Sequence, residues 1–232
     1  MSKKVIFCTP SLVGPTAPYL DALAASIPVV VAAGWTEAYA QEVGCPYISH
    51  ARATMTRKAL NAGADVIVYL DYDLSWDPED LLKLINHDGD VVAGTYRYKK
   101  DEEEYMGSIH SDADGRPACR PDGTIKGHTV PAGFLKITRN AIRRMMKAYP
   151  ELIYGDLENP SFDLFQHGAH EGVWYGEDMA FSRRWTRLGG EIVILPDLNL
   201  NHHKTDKDGN ITVYPGNFHN FLLNQPQPTQ EG

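Results

Sequence analysis

Sulfur, long apolar runs and excess positive charge are all scarce in this chain. Three cysteines in 232 residues, Cys8, Cys45 and Cys119, are too few and too scattered for a disulfide framework or a structural zinc cluster, which fits a reducing compartment. No segment approaches the roughly 20 apolar residues a membrane-spanning helix needs. The opening MSKKVIFCTP has only a short apolar run before Thr9 and Pro10, so it reads as a first strand and not as a signal peptide; a cytoplasmic protein is expected. With 22 Lys and Arg against 30 Asp and Glu, the formal net charge of -8 leaves no broad basic surface for non-specific nucleic-acid binding. Two short basic stretches, RYKK at 97–100 and RNAIRR at 139–144, leave local phosphate contacts open. Two phosphate-binding signatures are also missing: there is no GxxxxGK[ST], and no GxGxxG after a strand.

What is present is a core-forming pattern, 43% hydrophobic, that alternates strand and helix signals. KVIFCT reads as a buried strand, APYLDALAASI as a helix, VVVAA as a second strand, and ARATMTRKALNAGA as a helix ending near Gly63. DVIVYL is a third strand, whose continuous apolar run suits a sheet covered on both faces. Asp77 and Pro78 open a helix over EDLLKLINH, and GDVVAGTY follows as a fourth strand. This order predicts an α/β fold: a Rossmann-like, mostly parallel sheet with helices on both faces. Past Lys100, DADGRP, RPDGTI and DKDGNI each place Asp-Gly between strand-like segments, so the C-terminal half is expected to be mixed and to contain hairpins. Helices are expected over TRNAIRRMMKAYP and GEDMAFSRRWTRLG, with a late strand at EIVIL.

The third strand ends in Asp71-Tyr72-Asp73. Ligands gather at the carboxyl ends of strands in an open parallel sheet, and residues two apart on an extended chain point the same way, so two carboxylates can converge there on one hard cation. The competing reading makes Asp73 a turn residue and Asp71 a cap. A calcium loop is excluded: its sixth position would be Trp76 where glycine is needed, and its twelfth Leu82 where glutamate is needed.

Five pieces in order, from ISHARATMTRKALNAGADVIVYLDYDLSW through DGDVVAGTYRYKK, VPAGFLKITRNAI and YGEDMAFSRRWTRLGG to ILPDLNLNHHK, resemble the GT-A-fold nucleotide-sugar glycosyltransferases, particularly small stand-alone ones of phages and large viruses. The resemblance, which runs roughly from Val5 to Lys204, implies one catalytic domain over 1–224, with a nucleotide-sugar-binding half (1–100) and an acceptor and catalytic half (101–224); the polar NQPQPTQEG end has little to pack and reads as a flexible tail at 225–232. It implies a Mn²⁺ or Mg²⁺ ion at Asp71, Asp73 and His202, with Asp73 the direct ligand, Asp71 reaching the nucleotide ribose or the metal through water, and the adjacent His203 as the other histidine candidate; a nucleoside-diphosphate sugar, UDP-linked, is the implied co-substrate. Thr9, Pro10, Arg52, Asp71, Tyr72, Gly133 and Lys204 fall where that donor would be contacted; the chain has Ala53 where the family commonly has Asn. Asp178 matches the position of the catalytic base and Glu177 an acceptor-orienting acid, although both also suit the first turn of a helix. Trp174 and Tyr175 are candidates to stack on an acceptor ring. The expected reaction is metal-dependent, inverting transfer to a hydroxyl, on a hydroxymethylated pyrimidine in phage DNA or on a glycan. A nucleotidyltransferase and a non-catalytic sugar-nucleotide binder are the alternatives.

Overall fold

The computed structural model describes residues 2–225, so the tail expected at 225–232 lies, apart from Gln225, outside the described residues. In chain order the elements are β1 (Lys4–Ser11), α1 (Ala17–Ala32), β2 (Thr36–Val43), α2 (Ile48–Asn61), β3 (Val66–Leu70), β4 (Leu74–Trp76), α3 (Pro78–Asn86), β5 (Val91–Ala93), β6 (Ser108–Ile109), β7 (Ile125–Thr129), β8 (Phe134–Thr138) and α4 (Arg139–Ala148). Two small hairpins follow, β9 (Ile153–Gly155) with β10 (Pro160–Phe162) and β11 (Gly168–His170) with β12 (Val173–Tyr175). They precede α5 (Glu177–Arg187), β13 (Ile192–Ile194), β14 (Asn199–Thr205), β15 (Ile211–Asn217) and α6 (Phe218–Leu223).

The main sheet has the order β2-β1-β3-β8-β5-β13-β7-β6. Six strands share one direction; β8 and β7 are reversed, which makes the sheet mostly parallel. Strand alternation sorts its core into two layers. Val5, Phe7, Val66, Val68 and Leu70 face α1 and α3, while Ile6, Cys8, Ile67 and Tyr69 face α2, α4 and α5. Helices thus cover both faces, as the alternating sequence signals require.

The expected second strand at VVVAA is instead the last turn of α1. Tyr19, Ala22, Ser26 and Val30 are buried at helical spacing, and the helix runs through Pro28. A short apolar run is compatible with either state, and packing of Val30 against the sheet decides it. The true second strand, TEAYAQEV, is half-exposed at the sheet edge and therefore carries no apolar run. Asp77 occupies the N-cap position of α3, but its side chain makes no cap bond and accepts from Asn199 at 3.3 Å.

All three Asp-Gly segments turn between paired strands or bridges, with Gly115, Gly123 and Gly209 at positive φ. A second sheet, β15-β14-β4, takes up the chain beyond β3. The chain leaves the main sheet at Leu70 and joins this second sheet at Leu74, so Asp71-Tyr72-Asp73 spans the gap between the two. No helix among the described residues is long and apolar enough to cross a membrane.

Candidate active site

Asp71 continues the β3 face that carries Ile67 and Tyr69, and so points toward α2. There Arg52 Nη2 donates to Asp71 Oδ1 at 3.2 Å, and Tyr96 Oη donates to Oδ2 at 2.9 Å. Both oxygens are engaged within the protein, Oδ1 by Arg52 and Oδ2 by Tyr96. Burial raises its pKa above the ordinary range despite the opposing charge of Arg52.

Arg52 itself is 2% exposed. Its Nη1 donates to Glu177 Oε1 at 2.7 Å, and its guanidinium carbon lies 5.1 Å from the Phe165 ring centre. Burial works against this cation, but the charges of Asp71 and Glu177 more than offset it and hold its pKa up. The arginine expected to reach a nucleotide is therefore an internal strut joining the strand-end acid to the helix acid. Glu177, expected near the acceptor, is its other anchor.

Gly133 is expected to admit a sugar, and the structure gives a different reason for glycine. A Cβ there would sit 2.2 Å from Tyr96 Oη and 2.3 Å from Asp71 Oδ2, so the missing side chain makes room for the Asp71–Tyr96 hydrogen bond. Asp71 N donates to Gly133 O at 2.8 Å, closing the contact.

Asp73 is 7% exposed and receives the Lys99 ammonium on Oδ2. His202 Nε2 lies 3.7 Å from the same oxygen. Burial opposes ionisation of Asp73, yet His202 and Lys99 outweigh it and leave its pKa below the ordinary range. The register of β14 against β4 explains the approach: His202 pairs with Leu74, and His203 N donates to Asp73 O at 2.8 Å. His202 Nδ1 donates to the Arg97 carbonyl at 2.7 Å, which fixes the ring with Nε2 turned toward Asp73. The neighbouring His203 turns to Ser75 Oγ at 2.8 Å; burial lowers its pKa, and its buried Nδ1 has no partner among the described residues.

Among the described residues no three His, Cys, Asp or Glu side chains converge as a preformed metal cluster. The Asp73–His202 pair nonetheless fits a divalent ion, because at ligand distances of about 2.1 Å one ion reaches two atoms this far apart. Such sites commonly complete their coordination with water and substrate phosphate.

Beside this pair lies a pocket of about 340 Å³, bounded by residues 13–16 after β1 and by Tyr72, Lys99, His203 and Lys204. The loop is fixed to the acid segment, since Thr16 N and Oγ1 donate to the Tyr72 carbonyl at 3.0 and 3.1 Å. Thr9 and Pro10, expected at the nucleotide, are buried within β1, where Thr9 hydrogen-bonds Tyr19, and neither lines this pocket.

Asp178 stands in the first turn of α5, where Oδ1 accepts from Met179 N at 2.7 Å. Burial first, and the adjacent Glu177 second, raise its pKa. Immediately upstream, Trp174 is 68% exposed on the β11–β12 hairpin, whereas Tyr175 carries Arg183 over its ring at 4.9 Å.

The basic stretches do not share a groove. Arg97 donates to the carbonyls of Lys100, Asp101 and Pro215, and Lys100 pairs with Glu104. Arg139 N donates to Asp65 O, at the opposite end of β3 from Asp71, and Arg144 lies on the Trp185 ring at 4.8 Å. Sequence reasoning assigns Lys99 to phosphate contacts and passes over Tyr96. The carboxyl-end rule that finds Asp71 reaches both when it is also applied to β5.

No protein-family profile matches the chain, and no curated protein matches it. Similar solved structures include the catalytic domain of Drosophila β1,4-galactosyltransferase 7 in complex with xylobiose, at 14% identity and TM-score 0.46, covering 99% of this chain and 76% of that one. Another is a glycosyltransferase involved in the glycosylation of the major capsid of PBCV-1, at 11% identity and TM-score 0.32, covering 64% of this chain and 67% of that one. At that distance neither structure assigns an activity to this chain.

Proposed function

We propose that the chain is a GT-A-type glycosyltransferase that moves a sugar from a nucleoside-diphosphate donor to a hydroxyl of a carbohydrate acceptor with inversion. The observation that carries this reading is the pairing, at one end of the sheet, of an Asp73–His202 cation pair with the Glu177–Asp178 helix start, joined through Asp71 and Arg52. The donor diphosphate would lie in the pocket of Tyr72, Lys99 and Lys204, and UDP is the carrier that the sequence resemblance implies. A Mn²⁺ or Mg²⁺ ion held by Asp73 and His202 would supply counter-charge to the departing diphosphate.

Asp178 would take the acceptor hydroxyl proton as that oxygen attacks the anomeric carbon; the glycosidic bond to phosphate breaks and its electron pair leaves with the diphosphate. A raised pKa suits this role, because a base nearer the working pH accepts a proton more readily. The exposed Trp174, shortly upstream of Asp178 in the chain, favours a sugar ring as acceptor, and the separation of the two basic stretches argues against a DNA duplex.

The test is incubation with a panel of nucleotide sugars, with manganese or with chelator, scoring release of the nucleoside diphosphate. Release from one donor, lost on chelation and in Asp73→Ala, is expected. Release of pyrophosphate would mark a nucleotidyltransferase, and donor-dependent thermal stabilisation without turnover a binding protein.

A further inference from the structure

Residues 96–99 touch the three cation-site candidates one after another. Tyr96 Oη holds Asp71 at 2.9 Å, the Arg97 carbonyl holds His202 Nδ1 at 2.7 Å, and the Lys99 ammonium holds Asp73. The segment also rests on its own loop, through Tyr98 N to the Glu104 carbonyl and the Arg97–Tyr105 bridge. Asp73 Oδ2, the oxygen facing His202, is thus already neutralised by a charge of this chain. The contact is sheltered, the side chains of Lys99 and Asp73 being 28% and 10% exposed, so it is weakly screened and a second positive charge at the same oxygen is strongly disfavoured.

Resting on the cation- and donor-binding reading of this site, we propose that Lys99 is an internal counter-ion that competes with the divalent cation for Asp73. Cation binding displaces the Lys99 ammonium into the adjoining pocket, where it faces the donor diphosphate beside Lys204. The vacated loop, residues 97–104, loosens in the same step. Lys99 is a positioning residue in this scheme: it sets how tightly the empty site holds metal and couples metal arrival to donor charge.

The experiment measures Mn²⁺ binding to donor-free protein by the loss of the free-ion electron paramagnetic resonance signal, on wild type, Lys99→Met, Lys99→Arg and Asp73→Asn. Lys99→Met is expected to bind Mn²⁺ roughly three- to tenfold tighter, as removal of one competing ion pair implies. Lys99→Arg should stay near wild type and Asp73→Asn should bind weakest. In wild type, saturating Mn²⁺ should also speed tryptic cleavage after Lys100, a readout that needs no variant to fold. Unchanged or weaker Mn²⁺ binding by Lys99→Met, with Asp73→Asn still impaired, overturns the competition and leaves the cation site standing. Absence of Mn²⁺ binding in wild type and Lys99→Met alike overturns both.

Discussion

Asp178 is half-buried beside Glu177, and both features disfavour its charged form. A base acts only when deprotonated, so the acidic limb of kcat/KM is expected at higher pH than the ~3.9 of an ordinary aspartate. Asp178→Asn should erase that limb and lower kcat by about 10²- to 10⁴-fold; an unchanged kcat would assign the proton to another group. Gly133 is constrained just as tightly, by Tyr96 Oη and Asp71 Oδ2. Gly133→Ala is expected to cost about 1–3 kcal/mol in urea unfolding, as overpacking does, and to weaken donor binding by moving Asp71. Adding Tyr96→Phe removes one clashing oxygen and should recover part of the stability. Full stability in Gly133→Ala alone would contradict the close approach.

At the scale of elements, α1 offers a direct test, since Pro28 sits inside a continuous helix. An interior proline removes a backbone hydrogen bond and crowds the preceding turn, so Pro28→Ala should stabilise the protein by about 1–3 kcal/mol in urea unfolding. A loss of stability would mean that the helix is better broken there. Pro28 is also where the sequence misleads: it reads as a boundary, and the valines after it as a strand. The long periodic helices and the buried strands are legible because burial on both sides forces an unmistakable pattern. The edge strand β2 is not, because half its residues meet water and nothing obliges them to be apolar. β8 also escapes, because its FLKIT reads only as part of a longer motif running into α4. For the site, the strand-end rule locates Asp71 and Asp73, and the helix-start pattern locates Glu177 and Asp178. Which partners occupy Arg52, Asp71 and Gly133 is not legible, since those contacts join segments far apart in the chain.

Over the whole molecule the balance is acidic, with a formal net charge of -8, and the basic stretches face opposite ends of the main sheet. Transfer to a saccharide acceptor should therefore change less than about twofold between roughly 50 and 200 mM salt, where duplex-dependent activity would fall by orders of magnitude. A steep salt dependence in steady-state rates would reopen the nucleic-acid acceptor.

The crossing of the chain from one sheet to the other also governs when the site comes into being. His202 emerges well after Asp73 in synthesis, and the two meet through β14 pairing with β4. The main sheet can gather its early strands while the cation pair is still half-made. Metal affinity should consequently appear late in refolding, after the bulk of the helix signal has returned, so the arrival of manganese would time the docking of the last strands.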